Sequence, residues 1–428
     1  MTRCDYDVLI AGGGLVGASL ALALRDSGLR VAVVEPVAPQ AESQPSFDDR
    51  QTALAPTSRR FFSHLGLWQQ IEAGAEPIRR IHVSDRGHGG FTRLKAEQEG
   101  LSALGHVVPN RVLGAALTPA MQAAADVFCP ARIVDTHLLL DGATASGDAA
   151  AVGRRVRIEM ADGTRSLSTR LLVVADGMRS TTREALGVGL EERDYGQSAI
   201  ISNLQSERPH CGTAFERFTP DGPLALLPAA GGAVSLVWAL PHEQARVVAT
   251  EWTDQAFLDR LQAAFGWRLG RLESVGRRHV YPLIAVTAER FATERAVILG
   301  NAAHALHPVA GQGLNLALRD VAALAETLGA VAPRARSVEV PAPAPADPGA
   351  AALLERYARA RRSDYQRTFT FTDGLVRLFS NTFPPLVAAR NLGLTALDLF
   401  PPARRLLLKQ ATGAAGAVPR LCQPTPGE

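Results

Sequence analysis

Two glycine-rich turns, each at the end of an apolar run, stand about 280 residues apart in this 428-residue chain and constrain its fold more than any other feature. One follows Tyr6–Ala11 and reads Gly12-Gly13-Gly14-Leu15-Val16-Gly17. The other follows Ala296–Leu299, stops at Gly300, and continues through His307, Pro308, Gly311 and Gly313 into an amphipathic helix. A strand that ends in glycines and opens a helix presents backbone N–H groups and a helix N-terminus to an electron-rich ligand.

The first turn is the GxGxxG pattern, set between a strand and a helix over Gly14–Ser27 and followed by a second strand, Val31–Glu35. That is a βαβ opening. Gly12 permits the tight turn, Gly14 lets a pyrophosphate approach the backbone, and Gly17 lets the helix pack on the sheet. Glu35 lies 18 residues after Gly17, where an acid accepts hydrogen bonds from an adenosine ribose. The pattern predicts a dinucleotide but does not separate FAD from NAD. A third apolar run, Leu171–Ala175, delivers Asp176-Gly177. That acid is either a ligand contact or a cap for the next helix.

Bulk properties narrow the class. Hydrophobic content of 46% and charged content of 20% belong to a globular protein. Net charge is +3, too balanced to argue for nucleic acid. The four cysteines, Cys4, Cys129, Cys211 and Cys422, show no CxxC spacing, so neither a metal nor a disulfide framework is expected, and a reducing compartment is. His304 and His307 lack a third ligand in any metal spacing. Asp5 and Asp7 argue against a signal peptide. No apolar run reaches the ~18 residues of a membrane span.

Along the chain, a helix carrying Phe61, Phe62 and Leu65 precedes a hairpin turning at Ala161-Asp162-Gly163. Between about 195 and 285, short alternating segments predict an antiparallel sheet packed by one helix, Asp254–Phe265. A Pro/Ala-rich linker covers 331–352, and a helical tail follows at 353–428.

Taken together, the three glycine or Asp-Gly patterns resemble, in order, those of the flavoprotein aromatic hydroxylases. Within them, Phe47-Asp48-Asp49-Arg50-Gln51-Thr52-Ala53-Leu54 is similar to a segment of the ubiquinone-biosynthesis hydroxylases, as is Asn301 where the wider family has Asp. The stretches His82–His88, Phe215-Glu216-Arg217-Phe218, Leu226-Leu227-Pro228, Ser235–Trp238 and Phe265–Gly270 resemble those hydroxylases that act on a 2-polyprenyl-6-methoxyphenol.

The resemblance implies a para-hydroxybenzoate hydroxylase-like α/β fold. A Rossmann-like FAD-binding domain (1–80, 105–190 and 285–330) would carry an inserted antiparallel β-sheet substrate domain (81–104 and 191–284) and a C-terminal helical region. FAD would be held by Gly12, Gly14, Gly17, Glu35, Asp176 and Asn301, with Pro308, Gly311, Gln312, Gly313, Leu314 and Asn315 around the ring. Arg50 and Arg111 would face the flavin by the same analogy. Reduction by NAD(P)H, visiting transiently since no second GxGxxG follows a strand, or by another donor, would lead with O2 to a flavin C4a-hydroperoxide that hydroxylates the polyprenylated phenol. A flavin-dependent reductase or dehydrogenase of the same superfamily, and a non-catalytic FAD-binding scaffold subunit, remain alternatives. No catalytic base can be named.

A polyprenyl substrate directs attention to the tail. There Leu375, Val376, Leu378, Phe379, Phe383, Leu386, Val387, Leu394, Leu397, Leu399 and Phe400 mix with Arg377, Arg390, Arg404, Arg405 and Lys409. Such a mixture suits a cytoplasmic protein lying peripherally on the inner face of a bacterial membrane, or docked in a biosynthetic assembly. Packing on the protein's own core is the alternative.

Overall fold

The computed structural model describes residues 4–39, 44, 50–140, 151–329, 347–381 and 383–425. Val8–Ala11, Val31–Val34, Leu171–Val174 and Ala296–Ile298 are buried along their whole length. Continuous burial is the signature of parallel strands covered on both faces, and these strands pair parallel, in the order Ala296–Ile298, Gly163–Val174, Tyr6–Ala11, Val31–Val34, with Asp126–Phe128 beyond. One face packs Ile10, Val33 and Val173 against Leu20, Phe61, Leu113 and Leu318 from four helices. The other face sets Leu9, Leu172 and Ile298 against Val156 and Ile158 of the predicted hairpin, and against Tyr365.

Register matters more than order. Ala11 lies beside both Val34 and Val174, and Val174 lies beside Ile298. Four strands therefore end in one row. Gly12, Glu35, Ala175-Asp176 and Leu299-Gly300 follow that row along a single carboxyl edge, where open α/β sheets bind ligands.

A second sheet has nine strands among the described residues. Within it Leu190–Ser206 pairs with His279–Ala288, and His304–Ala305 pairs with Val286 and Thr287. The loop after Leu299 is thereby fastened to both sheets. On the outer face Ile200, Leu224, Leu226, Leu236 and Trp238 pack on Phe257, Leu261 and Phe265. Two features differ from the sequence reading. Arg80–Asp85 pairs in parallel with Thr213–Thr219, so the sheet is mixed. Two helices, His242–Thr250 and Asp254–Phe265, cover it rather than one, because Ala245, Val248 and Ala249 supply a second apolar stripe too short to stand out by periodicity.

Most of the expected linker, 331–346, lies outside the described residues, and its last two expected positions already belong to the helix Ala351–Ser380. The first part of that helix is a core element. Leu354 and Tyr357 are buried with Leu318 and Val321, and a charged chain bonds it to the helix Gln312–Thr327. Asp320 accepts from Arg361 Nε at 2.6 Å and bonds His304 Nε2 at 2.5 Å. Asp364 accepts from Arg319 Nε at 2.9 Å and from Arg361 at 2.7 Å. Burial works against the Asp320 charge, but Arg361 and His304 outweigh it and hold the carboxyl down at about 2.

Two acid windows follow. Burial pushes His82, His106 and His307 each down to about 4. Between the ordinary 6.5 and about 4 the unfolded chain takes up those protons and the folded chain does not, so stability falls as pH falls, by up to roughly 4 kcal/mol per pH unit from the three together. Below about 4, protonation of Asp320 removes its contribution in turn. Denaturant titrations from pH 8 to 3 should show the first slope, and His106→Asn should remove about a third of it. At pH 7, Asp320→Asn should cost about 3 kcal/mol, since it leaves a buried guanidinium short of its partner.

Candidate active site

The first turn is closed sterically. Gly12 has φ +94°, donates its N–H to Val34 O at 2.8 Å, and a Cβ there would lie 2.6 Å from Ala175 O. A Cβ on Gly17 would lie 1.9 Å from Gly12 O. Gly14 is the N-cap of the helix Leu15–Ala23, with extended backbone and no side-chain cap, so that N-terminus is left to a ligand. Glu35 is buried and already partly engaged: it accepts from Gly13 N at 2.6 Å and from Val37 N at 2.9 Å. It therefore locks the turn, and a cavity lined by Gly13, Glu35, Gln44, Met121 and Cys129 opens beside it.

The side-chain cap of the helix after Asp176 is another residue. The next helix is capped by Ser180, whose Oγ accepts from Arg183 N at 2.9 Å. Asp176 Oδ2 makes only a long contact, 3.4 Å, to Thr182 N, and its Oδ1 is buried without a partner. A buried carboxylate oxygen left unpaired costs too much to be accidental in an isolated protein. It fits a hydroxyl-bearing ligand on this edge.

The second turn meets the first directly. Gly300 has φ +60°, and a Cβ there would lie 3.1 Å from Val16 Cγ1, on the helix that the first glycines open. Asn301 and Pro308 are exposed on the loop that follows. Gly311 caps the helix Gln312–Thr327 in the left-handed region, 3.2 Å (as a Cβ) from Ala53 Cβ. Gly313 is different, because a Cβ there would meet nothing within 4 Å. No described side chain needs that space. The N–H groups of Gly313 and Leu314 lie in the first helical turn, where backbone N–H groups find no partner within the helix itself. An empty space over open N–H groups suits the flat, electron-accepting ring of a flavin.

Two expected contacts turn out to spend their side chains on the protein. Asn315 makes four hydrogen bonds: Nδ2 donates to Ala53 O and Gly311 O, and Oδ1 accepts from Ala55 N and Ser58 Oγ. Gln312 Nε2 donates to Ala411 O at 2.8 Å. Both bonds set the helix start in place, and the Asn315 amide is fully used on the protein. The Arg50 guanidinium lies 5.3 Å from the centre of the Tyr281 ring, which sequence reasoning did not single out. Arg111 is exposed at the start of Asn110–Ala124.

His307 Nδ1 accepts from Val309 N at 3.2 Å, so its ring is neutral with the proton on Nε2, and it packs edge-on against Tyr195. Burial and then Asp373 push the Tyr195 hydroxyl up to about 12. His304 belongs to the interhelical ion network instead. Among the described residues no group of three or more His, Cys, Asp or Glu could hold a metal.

The FAD binding domain family matches residues 5–339. The chain is 38% identical over 420 residues to ubiquinone hydroxylase UbiL of Rhodospirillum rubrum, across 95% of this chain and 89% of that one. It is 32% identical over 421 residues to 3-demethoxyubiquinol 3-hydroxylase of Escherichia coli, across 96% and 100%. Among solved structures, p-nitrophenol 4-monooxygenase PnpA from Pseudomonas putida DLL-E4 superposes with a TM-score of 0.74 at 18% identity, across 95% and 98%, which is a likeness of fold.

The two kinds of glycine separate experimentally. Gly17→Val should prevent folding, because its side chain would collide with Gly12 O. Gly313→Val should leave circular dichroism and melting temperature nearly unchanged while cutting retained FAD at least roughly ten-fold, as a side chain fills the ring space.

Proposed function

From the premise that this chain belongs to the FAD binding domain family, we propose that it hydroxylates the aromatic ring of a 2-polyprenyl-6-methoxyphenol. More broadly, it is an FAD-dependent aromatic monooxygenase of ubiquinone biosynthesis. The observation that carries the reading is the convergence of Gly12, Asp176 and the Gly300–Asn315 segment on one sheet edge, with the second sheet facing it.

Bound FAD, once reduced, supplies oxygen activation: one atom of O2 goes to an electron-rich ring and the other leaves as water. The protein's part is to bind, orient and exclude water. Gly12, Gly14 and the helix start at Leu15 would take the pyrophosphate, and the space beside Glu35 the adenosine half. Asp176 Oδ1 would accept from a hydroxyl of the cofactor. The N–H groups of Gly313 and Leu314, at the positive end of a 16-residue helix, would stabilise negative charge on the reduced ring. Asn301, in place of an acid, keeps hydrogen-bonding capacity without adding a negative charge beside the phosphates. NAD(P)H or another donor would reduce the flavin without a dedicated binding domain.

We also propose peripheral membrane association. No helix among the described residues is long and apolar enough to cross a membrane. The tail divides. Val376, Phe379 and Leu394 are buried, whereas Leu392, Leu399, Phe400 and Leu406 are 58–77% exposed beside Arg405 and Lys409. An apolar strip with basic neighbours suits an anionic lipid surface.

Cells lacking the protein should accumulate 2-polyprenyl-6-methoxyphenol by mass spectrometry of quinone intermediates. Accumulation of a different ring intermediate would overturn the substrate. For the membrane, Leu399→Ser with Leu406→Ser should lower co-sedimentation with anionic vesicles several-fold at unchanged melting temperature. Undiminished binding would remove the lipid assignment.

A further inference from the structure

Among the described residues, Glu216 is a strongly desolvated acid with no hydrogen-bond or ion-pair partner. It lies in the strand Thr213–Thr219, whose side chains alternate between the two faces of the nine-stranded sheet. Phe215 packs on the outer core, and Arg217 reaches Ala264 O at 3.0 Å on that same side. Ala214, Glu216 and Phe218 point the other way. Ala214 belongs to the cluster that takes in Ala53, and Phe218 packs with Val309 and Phe379. Ala53 and Val309 flank Gly311, the residue that opens the flavin-loop helix. Glu216 therefore faces the Gly311 loop between two contacts that close on either side of it, while it is itself only half-buried. Its neighbours across the sheet are Val83 and Ala225.

The Glu216 carboxyl thus keeps accessible surface on the face of the strand that meets the Gly311 loop. Burial alone pushes the Glu216 carboxyl up to about 7, with no charge or hydrogen bond opposing it. The other charged groups on the packed elements are engaged. Asp85, on the adjoining strand, accepts from Arg390 Nε at 2.8 Å and from Asn391. Asp373, on the long helix, pairs with Arg193 at 2.9 Å and Arg377 at 2.8 Å. Glu99 is held by Arg404. His307 is neutral, with Nδ1 bonded. A lone acid in an apolar wall opposite the ring space is poorly explained by stability, since leaving it unpaired is costly.

We propose that Glu216 binds the phenol hydroxyl of the aromatic substrate and takes up its proton during ring oxygenation. The inference rests on the monooxygenase reading above. The phenol O–H bond breaks as the new ring C–O bond forms, and the proton passes to the carboxylate while the phenol oxygen becomes a carbonyl. The ring then loses its C–H proton to solvent, and the carboxylic acid returns its proton to that oxygen. Oxidising equivalents come from O2 through the reduced flavin, as the proposed reaction requires. A carboxyl near 7 is half ionised at neutral pH and can serve in both directions.

The test uses full-length FAD-loaded protein and two probes: 2-methoxy-6-prenylphenol with a short prenyl chain, and its O-methyl ether. Binding is read from the change in flavin absorbance. Wild type should prefer the phenol roughly ten-fold or more. Glu216→Gln should reduce that preference and Glu216→Leu should abolish it, both with unchanged FAD content and melting temperature. In turnover, product should rise with pH through about 7 in wild type, lose that limb in Glu216→Gln, and give way to hydrogen peroxide. Full preference and coupling in Glu216→Leu, with wild type still hydroxylating, would overturn the role of Glu216 alone. Failure of wild type to hydroxylate the phenol at all would overturn the monooxygenase reading and this assignment with it.

Discussion

The contact between Gly300 and Val16 holds the site together. Two turns from opposite ends of the chain can share one ligand only if their strands end in the same row and the segments that follow pack together. The register from Val34 through Ala11 and Val174 to Ile298 supplies the row. The absence of a side chain at Gly300 supplies the approach, since even a methyl there would stand 3.1 Å from Val16. Everything at the carboxyl edge inherits its position from that closure, including the orphaned oxygen of Asp176 and the open space over Gly313.

A row of strand ends does not by itself hold the loop that follows. That task falls to polar groups buried for geometry more than for net stability. Asn315 ties the start of its helix to Ala53, Ala55 and Ser58. Further along, Arg319 and Asp320 tie the same helix to Asp364 and Arg361. Buried ion networks of this kind roughly break even against apolar packing, but they tolerate only one register. The helix Ala351–Ser380 is thus a brace for the loop after Gly300, although its paired side chains are distant from that loop in sequence.

Much of this architecture is legible in the sequence. The apolar runs Tyr6–Ala11, Leu171–Ala175 and Ala296–Leu299, cut by glycine or Asp-Gly, place the three strand ends within one residue of Ala11, Val174 and Ile298, because burial on both faces forces continuous hydrophobicity. The GxGxxG spacing already assigns Gly17 to packing, and the resemblance sets Gly313 beside the ring; the structure adds the collision that a side chain would make at the first and the open space at the second. The tail is less legible. Val376 and Phe379 look as exposed in sequence as Leu399 and Phe400, and only the partners Phe218 and Val309, from distant segments, separate them. Arg361 and Asp364 carry no signal either, since a charge pair three residues apart on a helix is normally solvated.

The same limit explains why sequence names no base. Histidine is the usual suspect near a reacting group, yet His304 is bonded to Asp320, and His307 accepts from the backbone through Nδ1 and is held neutral by burial while its Nε2 is buried without a partner. What marks a reactive acid is a shortage of partners, and shortage is invisible in a string of residues. Glu216 sits between Phe215 and Arg217 in what reads as an ordinary alternating strand. Alternation says that it shares a face with Ala214 and Phe218, but whether that face meets core or cavity depends on where Gly311 and Val309 come to rest. An apolar wall with one acid is also what a prenylated phenol requires. The hydrophobic surface can accept chain and ring with little selectivity, so orientation must come from a single polar contact, and one carboxylate would suffice for a phenol that offers one hydroxyl.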